Sequence, residues 1–185
     1  MYHNHLRRRR RSGEALVEFT LVGIPLLFVF ICVTEMSRGM WQYHTLQYAT
    51  KMANAFAAVH GATCSINGNS CTVDVSDVVT VFQNNAIGIP MANVAITLTS
   101  ATPANAVTCS QVSTCSSNAA WSTQWPPTGS GDNAVGNVVQ IKTEYQFNTA
   151  LAMFWPGAGR PWSFASAAGS GTFWFPGYSY EMIQF

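Results

Sequence analysis

RRRRRSGEALVEFTLVGIPLLFVFICVTEM, residues 7–36, sets five consecutive arginines against an apolar run and places a carboxylate, Glu18, about one turn inside that run. Residues 15–34 are twenty in number and carry one charge, Glu18. At about 1.5 Å per residue they rise about 30 Å, the thickness of a bilayer's hydrocarbon core. A secretory signal has a shorter apolar region, about 7–15 residues, followed by a small-residue cleavage site of the A-x-A kind. No such site follows here, so the helix is expected to stay in the chain. The alternative is the core helix of a soluble domain, and a basic block abutting the run argues against it. By the positive-inside rule the arginines hold the N-terminal end in the cytoplasm and send everything after Met36 across the membrane.

The rest of the composition agrees. The chain has 185 residues, of which 9% are charged, against roughly 25% in ordinary soluble domains. The overall net charge of +1 conceals an asymmetry: beyond residue 13, four basic residues face all eight acids, a net of −4. A chain that binds nucleic acid needs a basic face on its folded body, and none is expected here.

Four of the five cysteines fall in two close pairs, Cys64 with Cys71 and Cys109 with Cys115, each around a polar turn. Such pairs suit short disulfide loops in an oxidising compartment. Four cysteines allow three connectivities, and proximity in sequence favours 64–71 with 109–115. Cys32 is left within the apolar run as a small filler. A zinc site is the rival reading, but metal knuckles space their cysteines more closely and only His60 lies near, so no metal is expected.

After the apolar run the helix is expected to continue as a stalk to a stop at Gly61. Trp41, Tyr48, Met52, Ala55 and Val59 recur on one face, and Ala49, Ala53 and Ala57 form a smooth ridge, suited equally to another subunit's backbone or to the chain's own domain. Ser76 with Asp77 suits the start of a shorter helix ending near Gly88 and Pro90. Strand-like alternation follows at 91–100, 136–147 and 163–175, separated by loops at 101–135 and 155–162. The expected fold is α+β: a long N-terminal transmembrane helix continuing into an amphipathic stalk, then a small exported domain with a short helix and an antiparallel sheet. Its divisions are a leader at 1–13, a spanning helix at 14–36, a stalk at 37–61 and an exported domain at 62–185.

No catalytic constellation is evident. His3 and His5 precede the spanning helix and His44 and His60 lie on the stalk, while the segments GSGTFWFPG and GAGRP lack the spacing and the Lys-Ser/Thr of a phosphate loop. The expected protein is not an enzyme and uses no cofactor. Trp155, Trp162, Trp174 and Tyr178 suit strand packing, or stacking on a sugar or partner.

The segment SGEALVEF, with Gly13 at the junction and Glu18 five positions beyond it, resembles the cleavage signature of type IV prepilins. The continuation, TEMSRGMWQYHTLQYATKMANAFAAVHG, resembles the TadE-like pseudopilins of tight-adherence (Flp-type) pili, with Glu35, Arg38 and Gly39 where that pattern has them. The resemblance is specific over about residues 12–61 and only general beyond. It implies that a membrane-embedded prepilin peptidase cuts between Gly13 and Glu14 on the cytoplasmic face. It also implies that Glu18, with Phe19 beside it, serves assembly or recognition by pairing with the freed amine of a neighbour's Glu14. A glutamate at the new N-terminus departs from the aromatic residue common in pilins proper. The implied partners are the peptidase, other pilins and pseudopilins, the inner-membrane pilus assembly platform and the lipid bilayer. The implied place is the bacterial inner membrane or the pilus fibre. The competing reading is an uncleaved, signal-anchored binding module or adhesin.

Overall fold

A computed structural model describes residues 4–66, 69–70, 72–149 and 172–184. The chain is α+β. It opens with one 55-residue helix, α1 (Asn4–Ala58), unbroken across Pro25. At about 1.5 Å per residue this helix is about 80 Å long. From Gly13 onward it is long and apolar enough to cross a membrane. Its two halves differ. Leu16, Phe19, Leu21, Ile24, Leu27 and Phe30 all lie exposed, pointing to every side of the first half. The second half buries one face: Gly39, Gln42, Leu46, Ala49, Thr50, Ala53, Asn54, Ala57 and Ala58, at the three- and four-residue steps of a helix packed on one side.

That face is the alanine ridge, not the one with the larger apolar residues. Trp41, Tyr48, Met52 and Val59, expected together as an apolar face, are exposed. The reason is steric, since only small Cβ groups let the helix backbone lie close on a sheet. The ridge is therefore filled by the chain's own body. The helix also ends at Ala58, three residues before Gly61.

A short hairpin follows, β1 (Ser65–Ile66) and β2 (Asn69–Ser70), and then α2 (Val75–Asn85). Asp74 is the N-cap of α2, two residues before the expected start at Ser76, and its backbone N–H donates to the Asp77 carboxylate at 3.0 Å. Val75, Val78, Val79 and Phe82 turn into the core against α1. The turn beyond α2 carries Gly88 at φ +78°, and a Cβ there would lie 2.5 Å from the Trp41 ring.

Four strands form an antiparallel sheet: β3 (Val94–Thr99), β4 (Val107–Cys109), β5 (Val138–Asn148) and β6 (Thr172–Met182), in the order β4-β3-β5-β6. Val94, Ile96 and Leu98 of β3 and Val139, Ile141, Thr143, Tyr145 and Phe147 of β5 face inward. Gln140, Lys142, Glu144 and Gln146 face outward, so the period-two alternation of the sequence is met. Two expectations shift. The strand expected at 163–175 is met from Thr172 and runs on to Met182, while 163–171 fall outside the described residues. The connection expected at 101–135 contains β4, whose three residues are too few for a periodic signal.

That connection is pinned by one buried carboxylate. Asp132 accepts hydrogen bonds from Ser100 Oγ at 2.6 Å, Thr102 Oγ1 at 2.7 Å and Asn105 Nδ2 at 3.0 Å. Burial alone raises such a carboxyl, but the hydrogen bonds of Ser100, Asn105, Thr102 and Ser130 outweigh it and hold Asp132 well below the usual carboxylate range.

Candidate functional site

The sequence marks two sites on α1, one at each end of its apolar half. The far one, Glu35-x-x-Arg38-Gly39, joins helix to sheet. Glu35 and Arg38 are one turn apart on the same face, and Arg38 Nη2 sits 2.8 Å from Glu35 Oε2. The same nitrogen donates to the Asn148 carbonyl at 2.8 Å, the end of β5, and the guanidinium lies 4.8 Å from the centre of the Phe147 ring. Thr149 Oγ1 donates to Glu35 Oε2 at 3.2 Å. Gly39 completes the joint. A Cβ built on it would stand 3.6 Å from Phe147 and 3.7 Å from Phe175, whose rings stack on each other at 5.2 Å. A small residue at 39 thus lets two aromatic rings close against the helix.

Above the joint, polar side chains hold α1 in register on the sheet. The Tyr145 hydroxyl donates to Gln42 Oε1 at 3.3 Å, Thr50 and Thr143 share a hydrogen bond of 2.8 Å, and Asn54 Nδ2 donates to Ser179 Oγ at 3.2 Å. Burial raises the Tyr145 phenol above its ordinary value, against the opposing influences of Arg38 and Gln42, so it stays a donor at neutral pH. Each of these bonds is satisfied at only one helical setting, which makes helix and sheet one rigid piece.

The near site is the opposite in character. Gly13, Glu14, Glu18 and Phe19 are all exposed, and Glu18 has no hydrogen-bond or ionic partner among the described residues. By helical rise Glu18 stands about 25 Å from Glu35, so the two sites do not meet within one chain. Nothing lies within 4 Å of a Cβ built on Gly13. The fold itself places no demand for glycine there.

Cys109 and Cys115 are bonded as expected. Cys64 is disulfide-bonded, while Cys71 lies outside the described residues. Among the described residues no group of three or more His, Cys, Asp or Glu stands where it would hold a metal ion. Trp174 and Tyr178 are exposed on the outer sheet face beside Tyr180, and Trp155 and Trp162 lie outside the described residues. Sequence reasoning missed the receiving half of the joint: Phe147, Asn148, Thr149 and Phe175. The inward alternation of β5, which ends on Phe147, was the available signal, but its distance from Gly39 in the chain hid the contact.

The architecture defines a class: a chain with, among the described residues, one membrane-length apolar helix, continued without a break as the backbone of a small α+β body. Residues 13–53 match the model of a known family, described as TadE-like protein. The resemblance to TadE-like proteins is thus shown, over a segment that runs from the junction glycine through the helix half of the helix–sheet joint. No curated protein matches the chain. No solved structure matches it either.

Proposed function

We propose that this protein is a minor pilin or pseudopilin of a tight-adherence type pilus, a structural assembly subunit and not an enzyme. The family match over residues 13–53 carries the reading, because it covers the segment on which processing and assembly would depend. A prepilin peptidase cuts between Gly13 and Glu14 at the cytoplasmic face, and the mature chain sits in the inner membrane with its body exported. The exposed apolar half of α1 then packs beside the helices of other pilins and pseudopilins, and the assembly platform draws the subunit from the bilayer. Glu18 pairs with the Glu14 amine of a neighbour, which offsets the cost of a carboxylate at the bilayer edge and sets the stagger between helices. The rigid joint at Glu35, Arg38 and Gly39 transmits that stagger to the body.

A photocrosslinker placed at Phe19 in cells tests this. Crosslinks to other pilins, together with loss of surface pili when the protein is deleted, are expected. Normal piliation after deletion would contradict the reading. The exposed Trp174, Tyr178 and Tyr180 favour a second reading, an uncleaved anchored adhesin, which predicts intact pili and lost attachment.

A further inference from the structure

Five large apolar side chains ring the place where α1 leaves its apolar half. Met36 and Met40 are exposed on the helix itself. Trp41 is 51% exposed, with the tip of its ring against the turn that follows α2. Ile87, in that turn, is 69% exposed, and Trp174, near the start of β6, is 41% exposed. These residues come from separate elements but stand at one level. Gln42 Nε2 donates to the Gly88 carbonyl at 3.4 Å, which fixes the turn beside residues 41–42 of the helix. Phe175, next to Trp174, meets Tyr43 edge-on at 5.8 Å and faces Gly39, which fixes the start of β6 beside residues 39–43. All of this lies within about two helical turns, roughly 10 Å, of Met36.

Charge is sorted along the same axis. At the rim, Glu35 and Arg38 are bound to each other. Asp74 and Asp77 stand at the start of α2, the end away from Gly88. Glu181 pairs with Val139 and Asp132 is held by Ser100, both at the far end of the sheet. Glu144, two residues from the strand partner of Trp174, is paired with Lys142 at 2.8 Å. The rim is therefore apolar and rich in tryptophan, and the acids nearest it, Glu35 and Glu144, are each paired with a base.

We propose that the rim of Met36, Met40, Trp41, Ile87 and Trp174 seats the body on the lipid headgroup layer of the bilayer that α1 crosses. The proposal rests on the reading of α1 as a spanning helix. The rim surrounds the helix where it ends its apolar run, so whatever encloses the helix there also meets the rim. A neighbouring helix would cover one flank, whereas the five side chains spread over α1, the turn after α2 and the start of β6. Tryptophan is enriched at this depth because its ring is apolar and its N–H finds a partner among headgroups. The seat fixes how the body stands on the membrane before assembly, and leaving the bilayer exposes it.

The test uses the full chain labelled with fluorotryptophan, in nanodiscs of phosphatidylethanolamine and phosphatidylglycerol, with and without a lipid bearing a gadolinium chelate on its headgroup. Fluorine resonances of Trp41, Trp174 and Trp121 are assigned by substituting each with phenylalanine. Trp121 serves as the distant reference, since its carbonyl accepts from Ser76 at the far end of α2. The Trp41 and Trp174 signals are expected to be lost to paramagnetic broadening while Trp121 persists. Discs that retain the chain but leave all three signals equally sharp would overturn the seat and spare the spanning helix. A chain that does not co-purify with the discs would overturn both.

Discussion

Gly177 shows how close the sheet lies on the helix. A Cβ there would collide with the Thr143 hydroxyl and stand 2.9 Å from that of Thr50, the two groups whose hydrogen bond registers α1 on β5. Gly177→Ala is expected to destabilise the protein by about 1–3 kcal/mol, as overpacking does in well-packed interiors. Denaturant unfolding of the full chain in micelles measures this, and an unchanged midpoint would refute the packing described. Glu18 is the opposite kind of residue, exposed and unneeded by the fold. Glu18→Gln keeps its shape and removes its charge. The variant is expected to insert and be trimmed, since the apolar run only becomes more favourable in lipid, but to lose pili and crosslinks to partner pilins. Normal piliation in cells carrying only this variant would leave Glu18 without an assembly role.

Among the elements, the connection from β3 to β5 is held by two devices that differ in what weakens them. The Asp132 carboxyl is held below its usual range, so its stabilising effect is complete above about pH 4, the ordinary carboxylate value, and is lost as pH falls through the lower folded value. Asp132→Asn is expected to lower stability at neutral pH by about 1–3 kcal/mol, because three donors lose a charged acceptor. The gap between variant and parent should narrow at about pH 3 and below. A gap that does not change with pH would deny the carboxylate this role. The disulfide between Cys109 and Cys115 responds to reductant instead, and replacing both with alanine is expected to remove about 2 kcal/mol. If the body is exported as proposed, Cys109 and Cys115 should resist alkylation in the native protein until reduced, and free labelling without reductant would contradict this.

These elements also show what could be read from the chain. The apolar run of α1, the alternation of β5 and the close pair Cys109 and Cys115 each carry a local signal, and each stands where the pattern placed it. The periodicity of α1 showed two faces, but not whether the alanine ridge meets the chain's own body or another subunit, because small residues suit both. Against a sheet, the alanines go inside and Trp41 and Tyr48 stay out. Strand β4 has three residues, too few for alternation, and Asp132 meets Ser100 across 32 positions, a link with no local trace. The helix half of the joint was legible as Glu35, Arg38 and Gly39; its sheet half was not, because Phe147 and Asn148 look like any strand end until folded against the helix.

At the scale of the whole molecule, α1 is one continuous rod with two environments, an apolar half exposed on all sides and a half locked to the sheet by small residues and buried hydrogen bonds. A free-standing apolar half has no role inside a single folded chain. It needs lipid or neighbouring helices, and the proposed function requires both in turn. In the proposed function the transfer begins when the basic leader is removed at Gly13, a position where the fold itself has no use for glycine. The intact mass of the protein purified from its own cells tests this most directly. The expected result is a chain beginning at Glu14, and a Gly13→Val variant that keeps all thirteen leader residues. A parent protein that retains its arginine block, or a variant that is fully trimmed, would contradict it.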